Sequence, residues 1–174
     1  MRRGRRIIPL YQVPFVAGLS ISLVPPSLGG AQAVAQRFRE AAKLRAPLFQ
    51  NRQAELVYSQ TVLAESMLRL ETLEQMLYRN ADELMEIGRG TAEADRLTRI
   101  RLFACRAYIA RQAREVVGSL MDLAGSRSIF QDNPMQRFWR DVHVMGQHVA
   151  LNHEAGMRNY GRVLMGLEPD LPLY

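Results

Sequence analysis

Apolar side chains recur along this chain at helical spacing, and no segment keeps the strict alternation of a half-buried strand. Residues 12–24 are apolar enough for a buried helix, and Pro25-Pro26 are expected to kink or break it. A second run goes from about Leu28 to Arg45 and stops ahead of Pro47. Residues 51–87 contain neither Gly nor Pro; within them Leu56, Leu63, Leu70, Leu77 and Leu84 recur every seven residues. Val62, Met67, Leu73, Met76 and Ala81 widen that ladder into a face, and Gly88-Arg89-Gly90 stops the helix. Thr91 is placed as an N-cap for a run over 92–124, with Leu97, Ile100, Tyr108, Val116 and Leu120 among its apolar positions. Gly125-Ser126 ends that run, and a turn-rich connection leads to Pro134, a residue suited to a first helical turn. The last run reaches about Leu164, with Gly146, Gly156 and Gly161 as soft points. The pattern predicts an all-α protein, an antiparallel four-helix bundle with helices about 12–24, 28–45, 51–87, 92–124 and 134–164. These form one domain, 9–168, between a basic and disordered start, 1–8, and a tail, 169–174.

Composition narrows the function. At 174 residues, 48% hydrophobic and 23% charged, the chain is globular and long enough to bury a core. Cys105 is its only cysteine, which excludes an internal disulfide framework and a cysteine-based zinc site. The net charge of +6 is concentrated at Arg2, Arg3, Arg5 and Arg6; without them the remainder carries only +2, with both signs on every segment. That is not the basic stripe of a nucleic-acid domain, so no nucleic-acid partner is expected. Four arginines, an apolar stretch through Val24 and then Ala31-Gln32-Ala33 also follow the order of a twin-arginine export signal. Pro9, Gln12 and Pro14 interrupt the apolar part, and no run approaches the roughly 20 residues of a membrane helix. A cytoplasmic, non-membrane protein is the expectation, with export as the alternative.

Three chemistries can be weighed by spacing. A basic zipper needs its basic region to run directly into the heptads, whereas several prolines separate the arginines from Leu56. A di-iron bundle needs Glu-x-x-His, which does not occur here. His143, His148 and His153 are spaced by five residues, which leaves helical neighbours roughly 140° apart, so no histidine metal site is expected. The densest stretch is Asn133 to His148. There Arg137 and Asp141 stand at i, i+4, and Arg140 faces another side; with Trp139 as a packing anchor they read as a structural network.

These residues also carry a family resemblance. Asn133-Pro134-x-Gln136-Arg137-x-x-Arg140-Asp141, followed seven residues later by His148, resembles the C-terminal domain of acyl-CoA dehydrogenase-like (group D) flavin-dependent monooxygenases. These are the oxygenase components of two-component systems of the p-hydroxyphenylacetate hydroxylase and dibenzothiophene monooxygenase type. Pro9 to Pro14 with Leu28-Gly29, Ala124-Gly125-Ser126, and Gly161 to Leu167 match in order, so the resemblance covers nearly the whole chain. It implies a bundle that builds a homotetramer and contributes contacts to reduced flavin, FMNH2 or FADH2, supplied by a flavin reductase for hydroxylation of an aromatic small molecule. By the same resemblance Gly125, Ser126, Asn133 and Arg45 would bind the cofactor. His148 would be the active-site residue, accepting a phenol proton or hydrogen-bonding the oxygenated flavin. An acyl-CoA dehydrogenase-type domain and a non-catalytic helical assembly protein are the alternatives. The family also has an N-terminal helical domain and a β-barrel with no counterpart here, so the isolated chain is expected to be inactive alone.

Overall fold

The computed structural model describes residues 8–47 and 51–171. Among them there is no strand, and six α-helices build a four-armed bundle: α1 Phe15–Ile21, α2 Val24–Leu44, α3 Val57–Arg89, α4 Arg96–Ala124, α5 Pro134–Met145 and α6 His153–Leu164. The basic start lies, all but Ile8, outside the described residues. Ion pairs Arg101–Glu83 and Arg69–Glu115 fix α3 antiparallel to α4. Arg45, just past α2, reaches Ala124 at the end of α4, so α2 and α4 run parallel. The fourth arm is α5 followed by α6. Gly146 at the end of α5 lies against Arg114, Gly156 in α6 lies against Ala107 and Ala104, and Glu168 pairs with Arg96. The arm therefore descends the full length of α4, α5 beside its second half and α6 beside its first.

The core runs along the contact of α2, α3 and α4. Val24, Leu28, Val34 and Phe38 from α2 meet Leu70, Leu73 and Leu77 from α3 and Ile109, Val116, Val117 and Leu120 from α4. Of the seven-residue ladder, Leu70, Leu77 and Leu84 are buried and Leu56 and Leu63 only partly so, while Met67 is exposed. A straight helix drifts about 20° per heptad, so one ladder cannot keep all five steps on the core. In α4, Leu97 and Tyr108 are likewise exposed.

Several boundaries differ from the periodic pattern, each for a local reason. The first helix is shorter, 15–21, and Pro25-Pro26 occupy the first turn of α2 instead of breaking a helix. There a missing N–H removes no hydrogen bond. The third run begins at Val57, not 51, after a separate 3₁₀ turn Gln53–Glu55. It ends at Gly90, which takes a left-handed φ of 75°. Thr91 does not cap α4; its hydroxyl donates back to Glu86 O. The cap is Asp95, whose carboxylate accepts Thr98 N–H at 2.7 Å, so α4 starts at Arg96. The last run is two helices. Between them the 3₁₀ turn Val149–Leu151 is capped by His148, and Asn152 caps α6 by accepting Ala155 N–H at 2.9 Å. Side chains that cap are competing successfully with a continuous helix.

The tail is held, at least through Leu171. Asn159, fully buried in α6, accepts the N–H groups of Asp170 and Leu171 and donates to Leu171 O at 2.7 Å. Arg158 pairs with Asp170 at 3.2 Å, and Arg162 donates to Glu168 O.

Among the buried polar side chains of the described residues, one carries a charge. Arg106 in α4 is 2% exposed, and its Nε and Nη1 have no hydrogen-bond acceptor. Burial pushes its pKa down to about 10. Its guanidinium carbon lies 5.7 Å from the centroid of the Phe103 ring.

Candidate functional site

Where α2 and α4 end side by side, polar groups converge on the last carbonyls of α4. The final C=O groups of a helix have no partner inside it and carry its negative dipole end, so a cation there is stabilising. Arg45 supplies that cation, donating to Ala124 O and, at 3.4 Å, to Leu123 O. Buried Gln53 donates to Leu123 O at 2.6 Å, and its own N–H donates to Arg45 O at 2.8 Å. Arg45 and Gln53 thus brace each other and the helix end.

Gly125 follows with φ 69° and ψ −173°, a region open essentially to glycine. It is doubly constrained, because a Cβ would lie 2.7 Å from Arg45 Nη2. Ser126 opens a 3₁₀ turn, Ser126–Ile129, which Ser128 tightens by donating its hydroxyl to Gly125 O at 2.7 Å. Asn133 ties the far end of the connection: its amide donates to Arg127 O at 3.1 Å, and its Oδ1 accepts Met135 N–H at 3.0 Å. That second bond caps α5.

Arg45, Arg127 and Asn133 line one open groove of about 660 Å³, with Phe38, Leu44 and Met135 among its apolar walls. The Arg127 side chain makes no hydrogen bond or ion pair among the described residues. With the positive end of α5 beside it, the groove suits a ligand with a flat apolar body and an anionic end. Of the four candidate cofactor residues, Arg45 and Asn133 line this groove and Gly125 packs against Arg45, whereas Ser126 is exposed and lies outside the lining.

His148 is elsewhere. The twelve residues of α5 separate it from Asn133, about 18 Å along the helix. It is exposed, and its Nδ1 accepts Ala150 N–H at 3.1 Å. On α5 itself, Arg137 and Asp141 approach to 3.8 Å at an exposed site, a contact worth little by itself. Trp139 is 38% exposed and packs on His143, ring centroids 4.6 Å apart, while Arg140 has no hydrogen bond or ion pair among the described residues. Among the described residues no group of three His, Cys, Asp or Glu side chains could hold a metal ion, and no helix is long and apolar enough to cross a membrane.

Gln53 was invisible to sequence reasoning. Its role depends on the end of a helix some 70 residues later, and nothing in its neighbours marks it. Arg127 lies inside the turn-rich connection that the sequence did single out.

The chain as a whole has known relatives. Residues 21–153 match the family described as acyl-CoA dehydrogenase, C-terminal domain. The oxygenase component of p-hydroxyphenylacetate 3-hydroxylase from Acinetobacter baumannii is 26% identical over 161 residues, covering 92% of this chain and 37% of that protein. The oxygenase component of FADH2-dependent resorcinol hydroxylase from a Rhizobium species is 24% identical, covering 92% of this chain and 41% of that protein. Among solved structures, XiaF from Streptomyces in complex with FADH2 and glycerol superposes with a TM-score of 0.89 at 24% identity, covering 95% of this chain and 42% of that one. The chain spans about two fifths of the length of the relatives it matches.

Proposed function

Since the chain belongs to the acyl-CoA dehydrogenase C-terminal domain family, we propose that it is the helical-bundle portion of a flavin-dependent aromatic monooxygenase. The observation that carries this reading is the convergence of Arg45, Arg127 and Asn133 on one cationic groove, with Gly125 packed behind Arg45. Its relatives are oxygenase components of aromatic hydroxylases, which supports the same reading.

The residues present fit a flavin. Among the described residues Arg127 has no hydrogen bond or ion pair, and Arg45 lines the same groove, so an anionic phosphate group, as in either FMN or FAD, finds positive charge there. Gly125 leaves the turn without a side chain, and Phe38 and Met135 offer apolar contact. A bound reduced flavin supplies the electrons that activate dioxygen for hydroxylation of an aromatic ring. The chain's own residues bind and orient: Arg127 and Arg45 hold charge, Asn133 fixes the start of α5, and α5 sets the distance to His148. His148 is the residue placed to hydrogen-bond a ligand at the far end of that helix.

In this reading the bundle works in the cytoplasm as part of a homotetramer, fed by a flavin reductase and acting on a small aromatic substrate. The substrate pocket is shaped by the portion of the relatives that this chain does not span. Anaerobic titration of the full chain with reduced FMN or FADH2, followed by flavin fluorescence, tests it. Arg127→Ala is expected to weaken binding several-fold, as one charge-assisted contact to phosphate is lost. Equal affinity in the variant, or no binding by the parent, overturns the reading.

A further inference from the structure

Two contacts mount His148 at the break between α5 and α6. The first is the bond from Ala150 N–H to Nδ1, 3.1 Å, which makes His148 the cap of the Val149–Leu151 turn. A ring nitrogen that accepts an N–H has its lone pair free and carries no proton. In neutral imidazole the proton then sits on the other nitrogen, Nε2. His148 is exposed, so that Nε2–H is available to a ligand.

The second contact lies two residues earlier. Gly146 ends α5 with an ordinary right-handed backbone, φ −65° and ψ −8°, which any residue adopts. A Cβ at that position would nevertheless meet Arg114 Cδ at 2.5 Å and Arg114 Nη1 at 3.4 Å. Glycine is needed there because the Arg114 stem, from α4, occupies the space. Arg114 makes no hydrogen bond or ion pair among the described residues, and its Nε is buried without an acceptor. No polar partner explains the side chain; its packing against Gly146 does.

We infer that Arg114, through its stem against Gly146, is a positioning residue for His148, which the Ala150 amide fixes as the Nε2–H tautomer. This rests on the ligand-facing role proposed for His148 and sharpens it. While the cap stands, His148 donates a hydrogen bond to a carbonyl or oxyanion of the ligand, and it does not take a phenol proton at Nδ1. Arg114 sets where that donor stands by fixing the joint that carries it.

The test is long-range ¹H–¹⁵N NMR on the full chain, labelled at histidine, in mildly alkaline solution, with His148→Gln identifying the resonance. The parent is expected to show one tautomer at His148, with Nδ1 unprotonated. Arg114→Ala, which removes the stem, is expected to convert it to a tautomer mixture, while Arg114→Met, which keeps the stem and removes the charge, retains the parent pattern. Unmoved His143 and His153 signals show that the variant is folded. Should Arg114→Ala unfold, Gly146→Ala, which pushes the stem aside, is expected to give the same mixture. A tautomer mixture in the parent, unchanged signals in the stem variants, or an Arg114→Met spectrum like that of Arg114→Ala overturns the inference. No flavin is present, so this outcome is separate from the flavin titration that tests the function.

Discussion

Replacing Arg106 with methionine should make the protein more stable. The guanidinium is 2% exposed, and no carboxylate or acceptor pairs with its Nε and Nη1. Burial lowers its pKa to about 10, well below the ordinary guanidinium range, which corresponds to about 3 kcal/mol of penalty for keeping the charge in the folded state. Methionine fills a similar volume with an unbranched apolar chain and removes that penalty. The lost cation–π contact with Phe103, desolvated along with the guanidinium, offsets about 1–2 kcal/mol. A net gain of about 1–2 kcal/mol is expected, which raises the melting temperature by about 2–8 °C in a chain of this size. The pH dependence gives a second handle. Above about pH 10 the unfolded chain holds a proton that folded Arg106 has released, so the parent gains stability as pH rises from there. The advantage of Arg106→Met is therefore full at pH 7 and shrinks above pH 10. Urea denaturation of both proteins at pH 7 and at pH 10.5 measures it. A variant less stable than the parent at pH 7, or an advantage undiminished at the higher pH, would refute the reasoning.

Other outcomes follow from the same contacts. Arg45→Ala removes the cation from the α4 carbonyls and should lower stability by about 2 kcal/mol in denaturant titration, with weaker flavin binding alongside. Gly125→Ala forces a side chain into a glycine-only backbone and against Arg45; a loss of about 2–3 kcal/mol is expected in thermal unfolding. Asn133→Ala should cost about 1 kcal/mol as the α5 cap is lost, while Asn133→Ser retains most of it. Arg96 holds the Glu168 carboxyl below its usual range. The contribution of that pair to the tail is present above the ordinary carboxylate value and is lost as pH falls through the depressed one, so cleavage after Leu164 by an acid-active protease should accelerate only below the ordinary carboxylate range, and Arg96→Met should abolish that pH dependence.

The all-helical class and the order of the long helices were legible because apolar periodicity reports which face is buried, and long periodic runs report it repeatedly. The stops at Gly90 and Gly125 were equally legible, since both need positive φ. Starts were harder. Thr91 and Asp95 both suit a cap, and only the fold shows that Asp95 faces the Thr98 amide. Pro25-Pro26 read as a break because the same ring that ends a helix also begins one. Gly146 was visible as a soft point, but the break itself is made by His148 and Asn152 turning to cap the turns that follow. At the groove, Gly125 and Asn133 announce turns from their residue types alone. The bracing of α4 by Arg45 and Gln53 spans 70 or more residues, and a contact that distant leaves no local trace in sequence.

The divided fourth arm gives the bundle two units of opening. α5 lies on α2 and the second half of α4, whereas α6 and the tail it holds lie on the first half of α4. Helical hydrogen bonding is interrupted between them, so fraying of one need not propagate into the other. Amide exchange should then resolve two protection levels within what sequence periodicity treats as one rod. His148 stands at their boundary, so opening of α6 is expected to leave the cationic groove at the far end of α5 protected.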